Sequence, residues 1–177
     1  RALRRRVREL EARETQRNGE QEHREQAEQR FRLLVESAPD GMVIVDRDGK
    51  IVLVNAQTER LFGYSREELI GQSIEMLLPD RFRDAHVQQR AAFGKRPQAR
   101  AMGSRPDLFA RRKDGSEFLA EISLGPIETE EGVLTASAIR DVTQRRQAER
   151  QLRENQSQLL AAQRIQQLAG ESSYGGG

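Results

Sequence analysis

The chain has 177 residues, 36% of them hydrophobic and 33% charged, which leaves room for one domain and indicates that part of the chain is extended helix. Thirty basic and 28 acidic residues leave a net charge of +2, which gives no basic surface field for nucleic acid. The absence of cysteine excludes disulfides, thiolate metal sites and thiol catalysis, and no run approaches the ~18 apolar residues of a membrane span, so a cytoplasmic protein is expected.

The N-terminal 37 residues predict a long, solvated helix. Its first 30 residues are almost entirely Arg, Glu and Gln with opposite charges interleaved. Leu3, Val7 and Leu10 begin a heptad seam that charged residues then interrupt. A second seam starts in a different register and comprises Ala27, Phe31, Leu34 and Ala38. The pattern is typical of a weak, broken coiled coil.

Strand patterns in the middle of the chain come in two groups. The β-branched runs 42–45 and 51–54 are joined by DRDGK and predict a hairpin. Three further strand candidates follow: DLFARR, EFLAEISLGPIE and VLTASAIRDV. The order of two strands, small helices and three strands predicts an α+β fold, a five-stranded antiparallel sheet with short helices on one face.

Short helices are predicted between the two groups of strands. Ser65 and Glu68 have the spacing of a capping box, and Gly63 and Gly71 are expected to end helices. Pro79 is expected to begin a new helix.

His86, one of two histidines in the chain, lies in the helix that Pro79 begins. At about 100° per residue, His86 lies about 40° from Phe82 and about 20° from Phe93 on the helical wheel. The three side chains therefore share one face, and we expect His86 to point toward the sheet. The other histidine, His23, belongs to the polar N-terminal helix and is expected to be solvated.

The C-terminal segment, 144–169, predicts a second coiled-coil helix. Its heptad positions are Ala148, Leu152, Asn155, Leu159 and Ala162. Asn155 at a core position favours a parallel dimer in one register. The chain begins without methionine and ends in SSYGGG, so it is expected to be an excised piece with a flexible tail at 170–177.

Three stretches together resemble a PAS sensor domain over residues 31–150: FRLLVESAPDGMVIVDRDGKIVLVNAQTERLFGYSREELIGQ, RRKDGSEFLAEISL and IRDVTQRRQAE. The specific features are APDG at 38–41 just before the first strand, Asn55 after the second strand, the KDG hairpin at 113–115, and DVT at 141–143 at the end of the last strand.

The resemblance implies a sensory or dimerisation module that biases a separate output domain, such as a histidine kinase of a two-component system or a cyclic-di-GMP enzyme. Residues 1–37 would then be a signalling and dimerisation helix, 38–143 the PAS domain, 144–169 a coiled-coil linker and 170–177 the tail. A ligand-free domain that only holds two chains in register is the alternative. The sequence has no phosphate loop or cluster of metal ligands, so no enzyme, catalytic residue or metal site is expected.

The resemblance implies that an Asp-x-Thr sequence at the end of the last strand is the joint between the sheet and the output helix. Asp141 and Thr143 occupy this place and are expected to couple signals. An Asp-x-Thr sequence also caps a following helix, and the two interpretations are compatible.

The cofactor is left open by the sequence. Flavin-adduct and coumarate PAS types need a cysteine and redox flavin types usually have a tryptophan; the chain has neither, so flavin is not favoured. Segment 77–124 resembles the haem-bearing PAS oxygen sensors, with His86 as proximal ligand. Ile122 and Leu124 match their apolar distal residues, whereas Pro106 stands where they place a gas-binding arginine and Arg105 lies one residue early.

Without haem, the same region predicts a pocket for a small apolar metabolite, or an empty one. It would be bounded by Phe82, Phe93, Ile122 and Leu124, with His86 lining or capping it.

An apolar stripe just before the first strand predicts association. It comprises Phe31, Leu34, Val35 and Ala38 on a helix that is otherwise charged. Such a stripe needs a partner, so we expect a parallel homodimer through the segments flanking the sheet, unless the stripe packs on its own sheet.

Overall fold

The computed structural model describes residues 2–101, 108–130 and 132–172. The helices are α1 (Ala2–Ser37), α2 (Ala56–Phe62), α3 (Arg66–Leu69), a 3₁₀ helix (Ile74–Leu77), α4 (Asp80–Lys95) and α5 (Thr143–Ser172). The strands are β1 (Gly41–Val45), β2 (Ile51–Val54), β3 (Arg100–Ala101), β4 (Leu108–Arg111), β5 (Glu117–Thr129) and β6 (Gly132–Asp141).

The strands form one antiparallel sheet in the order β2-β1-β6-β5, with β3 and β4 both paired to β5. β3 pairs at Ser123 and Leu124 of β5, and β4 pairs with residues 117–120, so the two lie end to end along the same edge. The predicted α+β fold and its five antiparallel strand positions are therefore confirmed. The two-residue β3 is an addition that no strand pattern predicted.

The β1–β2 hairpin turns where the sequence predicted. One carboxylate oxygen of Asp46 accepts hydrogen bonds from the amides of Asp48 and Lys50, each at 2.9 Å. Gly49 has a φ of 81°, which a residue with a side chain rarely adopts. Gly63 likewise has a φ of 77° where it ends α2, and Glu68 accepts a hydrogen bond from the Ser65 amide at the start of α3.

The side chain of Asn55 connects several segments at the start of the domain by hydrogen bonds. It is fully buried and its amide donates to the carbonyls of Val35 and Asp40, at 3.0 and 2.9 Å. Its oxygen accepts from the amides of Met42 and Thr58. A single side chain thus joins the end of α1, the start of β1 and the start of α2.

The core lies between the sheet and the short helices. On the sheet side it contains Val43, Val54, Phe118 and Ile139, and on the helix side Phe62, Leu69, Ile74 and Leu77. The Phe62 and Phe118 rings lie 5.5 Å apart at the centre. This packing seats α2, α3 and the 3₁₀ helix on one face of the sheet, and α4 follows across the same face.

The two long helices are exposed over most of their length. In α1, Val35 is buried, while Phe31 and Leu34 are 39% and 71% exposed, so only part of the predicted stripe packs on its own domain. In α5, Leu152 and Leu159 are 59% and 64% exposed. α5 runs to Ser172, three residues beyond its predicted end, and residues 173–177 lie outside the described part of the chain. Among the described helices none is long and apolar enough to cross a membrane.

Candidate functional site

A cavity of about 170 Å³ lies between α4 and the inner face of the sheet. Its wall is mostly apolar and includes Phe62, Leu77, Phe109, Ile122, Leu124 and Ile139. Three polar side chains also face it: His86, Gln89 and Ser137. Apolar walls with a few convergent polar groups are typical of a small-molecule site.

Four of the five predicted pocket residues meet at this cavity: Phe82, His86, Ile122 and Leu124. Phe93 is buried but lines a smaller neighbouring cavity of about 60 Å³, together with His86 and Leu124. The helical phase that grouped Phe82 with Phe93 ignored their separation along the axis. Eleven residues at ~1.5 Å each place them about 16 Å apart, too far to share one small cavity.

Phe82 stands at the rim of the cavity and is 38% exposed. Its ring stacks on Phe109 with centroids 6.5 Å apart, and the Arg81 guanidinium lies 4.5 Å from its centroid. The rim therefore consists of two aromatic rings, one from α4 and one from β4.

His86 is held by Glu75 of the 3₁₀ helix. Its Nδ1 lies 2.9 Å from a carboxylate oxygen of Glu75, whose side chain is 9% exposed. Burial raises the pKa of Glu75, but hydrogen bonds from Ser73, His86 and Arg90 outweigh burial and lower the pKa to about 2. The carboxylate is therefore ionised at neutral pH and can only accept. Nδ1 must therefore carry a proton, and in the neutral form of the ring Nε2 would be an acceptor.

Glu75 also links this histidine to the β1–β2 hairpin. The carboxylate accepts from Nε of Arg90 at 3.1 Å, and Arg90 donates in turn to the carbonyl of Arg47 at 3.3 Å. The guanidinium lies so close to Gly49 that a Cβ there would come within 2.4 Å of it. A polar chain therefore connects α4, the 3₁₀ helix and the hairpin behind the cavity.

The predicted coupling residues lie at the junction of β6 and α5. Asp141 accepts a hydrogen bond from the Thr143 amide at 2.9 Å and forms an ion pair with Arg112 at 2.7 Å. Burial raises the pKa of Asp141, but the hydrogen bonds from Thr143 and Arg112 outweigh burial and hold the pKa below its usual value. The Thr143 hydroxyl accepts from the Leu119 amide of β5 at 3.1 Å. Asp141 thus caps the helix, and the pair also ties the helix to the sheet.

The resemblance suggests haem as a cofactor. The structure provides a suitable ligand for the iron, His86, but the cavity is too small for the porphyrin. A histidine whose Nδ1 donates to a carboxylate and whose Nε2 is free has the usual arrangement of an axial ligand. A cavity of about 150 Å³ holds a benzene-sized molecule, so 170 Å³ is far too small for a porphyrin unless α4 moves away from the sheet. Arg105 and Pro106, compared above with the gas-binding arginine, lie outside the described residues.

Sequence reasoning missed Glu75, Arg90, Phe109 and Ser137. Two of them carried a signal: Glu75 interrupts the apolar run SIEMLL, and Ser137 falls on the core-facing phase of the last strand. His23 is exposed on α1, as predicted.

Comparison with known proteins identifies similar chains. The family model described as the PAS fold matches residues 29–142, more than half of the chain. The sensor protein FixL of Bradyrhizobium diazoefficiens is 29% identical over 138 residues, which is 78% of this chain and 27% of that protein. The oxygen sensor protein DosP of Escherichia coli is 31% identical over 103 residues, 58% of this chain and 13% of that protein. The chain thus spans about a quarter or less of these relatives' length.

Among solved structures, the PAS domain of an HTR-like protein from Haloarcula marismortui is similar, with a TM-score of 0.57 and 25% identity. The match covers 70% of this chain and 98% of that one.

Proposed function

The chain belongs to the PAS fold family, and we propose that it is the sensory and dimerisation module of a longer signalling protein. It would pass a signal through its flanking helices to a separate output domain, a histidine kinase or a cyclic-di-GMP enzyme. The observation that carries the proposal is that the cavity and the joint to α5 are built on the same two strands.

These strands provide a short physical route from cavity to helix. Ile122 of β5 and Ile139 of β6 line the cavity. Leu119, also on β5, is hydrogen-bonded to the two residues that follow β6. Its carbonyl accepts from the Val142 amide at 2.9 Å, and its amide donates to the Thr143 hydroxyl at 3.1 Å. A ligand that shifts either strand would therefore shift the first turn of α5.

The length of α5 suits it to carry such a shift. Thirty residues at ~1.5 Å rise span about 45 Å, so a small rotation at the joint is delivered far from the sheet. Its exposed leucines and Asn155 support pairing with a second copy in a parallel homodimer. In such a dimer the two output domains would be connected to two paired helices.

Insertions in α5 test this route. The chain is fused through α5 to a histidine kinase catalytic domain, and one or seven alanines are inserted after Ser157. One residue turns the downstream part by about 100°, whereas seven restore the heptad phase to within about 20°. We expect the single insertion to change autophosphorylation at least about fivefold and the seven-residue insertion to leave it near the parental rate.

Gln158→Ala serves as the control, because it changes a neighbouring exposed residue without changing phase. Equal activity for both insertions would reject signalling through α5 and would favour a module that only holds two chains together.

Haem sensing through His86 is a second candidate, and one observation favours it. The hydrogen bond from His86 Nδ1 to Glu75 leaves Nε2 available to coordinate iron. The similarity to an oxygen sensor protein agrees with it. Haem would fit only if α4 moved away from the sheet. When bound, it would supply an iron atom that takes a diatomic gas; His86 would hold the iron, and Ile122 and Leu124 would provide apolar surroundings.

An absorption spectrum decides this candidate. Protein purified from cells supplied with iron and haem precursor should show a strong Soret band that His86→Ala abolishes. Colourless protein that also fails to take up added haemin would exclude haem.

A further inference from the structure

We propose that the cavity beneath α4 binds a small, neutral molecule with a ring-shaped apolar body and one hydroxyl group, which Ser137 and His86 recognise. The inference rests on the proposed sensory function and names the class of ligand that would be sensed.

Ser137 is the feature that points to a ligand. It lies on the inner face of β6, paired across the sheet with Val43 of β1 and Leu124 of β5. Ser137 is 8% exposed and lines both cavities. No side-chain hydrogen bond within the described chain involves its hydroxyl, and because every fully enclosed side-chain polar atom there has a partner, this oxygen must be accessible from the cavity. A hydroxyl that lines a mostly apolar cavity without a protein partner can form its hydrogen bond with a molecule inside the cavity.

His86 supplies a complementary group from the opposite wall. In the neutral imidazole, the hydrogen bond from Nδ1 to Glu75 leaves a lone pair on Nε2. Glu75 acts here as a positioning residue. His86 of α4 and Ser137 of β6 therefore line one cavity from opposite sides.

Gln89, the third polar side chain at the cavity, is exposed, so His86 and Ser137 select the chemistry of the ligand. A ligand hydroxyl can donate to Nε2 and at the same time accept from the Ser137 hydroxyl. A carboxylate has no proton for Nε2, and any ion would lose its hydration among Phe62, Ile122 and Leu124. The site therefore favours a neutral alcohol or phenol over an acid or an amine.

The volume limits the body of the ligand to about one ring. A cavity of about 150 Å³ lined by aliphatic and aromatic side chains binds benzene, and this one measures about 170 Å³. Phenol matches the cavity in size and carries the required hydroxyl, while toluene has nearly the same shape without it.

The test compares phenol and toluene by titration calorimetry on the whole 177-residue chain. Ser137→Ala should weaken phenol binding about five- to tenfold, the effect of one lost hydrogen bond, and leave toluene binding unchanged or tighter. Ser123→Ala is the matched control, because Ser123 is exposed on the opposite face of the neighbouring strand; it should change neither affinity.

A thermal unfolding curve guards against loss of fold. Since no side-chain hydrogen bond within the described chain involves the Ser137 hydroxyl, Ser137→Ala should keep or raise the melting temperature. A clear fall would mean that Ser137 is a structural residue and would overturn the proposal.

The proposal is also overturned if Ser137→Ala affects both ligands equally, if neither ligand binds at millimolar concentration, or if the protein is purified with haem in the cavity. None of these results alters the response to insertions in α5, so failure of the ligand assignment is distinguishable from failure of the signalling function.

Discussion

At the scale of single residues, Glu75 organises the site more than any side chain the sequence singled out. It orients His86, holds Arg90 against the hairpin and is itself buried. A buried carboxylate is tolerated only when it is paired, and here three donors supply the pairing. Replacing Glu75 would therefore free the histidine tautomer and loosen the packing behind the cavity together.

Glu75→Gln should destabilise the protein by about 2 kcal/mol at neutral pH, because three donors, Ser73, His86 and Arg90, lose their charged acceptor. The folded-state pKa of about 2 lies below the ordinary value of 4.5. The stabilisation from Glu75 is therefore complete above about pH 5 and is lost as the pH falls toward 2. Urea unfolding at several pH values should show the difference between wild type and Glu75→Gln shrinking over this window.

Glu128→Gln, on an exposed strand end, is the control and should follow wild type throughout. A constant difference between wild type and Glu75→Gln from pH 7 to about pH 2.5 would contradict the pKa assignment.

At the scale of elements, the two long helices differ from the rest of the chain in having no core of their own. α1 is attached mainly through its last turn, where Val35 is buried and its carbonyl accepts from Asn55. α5 is attached through its first turn by Thr143. Helices fixed at one end and apolar along a stripe are suited to pairing with a second copy.

Removing residues 1–38 should weaken the dimer, measured as a higher dissociation constant in sedimentation equilibrium. Leu34→Glu should act in the same direction without cutting the chain, because this side chain is 71% exposed and Val35 stays in place. The control Gln29→Glu changes an exposed polar position of the same helix. A shortened chain that dimerises at full strength would contradict the role given to α1.

At the scale of the whole molecule, the chain divides into one packed α+β unit and two solvated helices. The residues of the hydrophobic cluster at the centre of the core all lie between Val43 and Ile139. Ion pairs within α1, such as Arg5 with Glu9, are exposed and contribute at most ~0.5 kcal/mol each. The packed unit therefore provides nearly all of the stability.

Limited trypsin digestion should reflect this division. At protein concentrations that keep the chain monomeric, cleavage should begin at the arginines of α1 and α5 and leave a resistant fragment close to 38–143, identified by mass spectrometry. Early cleavage at Arg111 or Arg112, which lie in and beside β4, would contradict the domain boundaries.

Apart from the two-residue β3, the sequence by itself determined the elements and their order, because these follow from local patterns. Period-two alternation marked β5, the Asp and Gly of DRDGK marked the hairpin, and Gly63 and Pro79 marked helix ends. The helical wheel of α4 predicted that His86 points toward the sheet, and His86 lines the cavity there. This prediction needs only the spacing of residues along one helix.

Only the tertiary structure decided which side chains share a cavity. Helical phase grouped Phe93 with Phe82, but distance along the helix axis separates them. The pairing of His86 with Glu75, and the exposure of Ser137 to the same cavity as His86, depend on how the 3₁₀ helix, α4 and β6 come together. Contacts between residues distant in sequence are set by packing, and packing leaves little trace in any one segment.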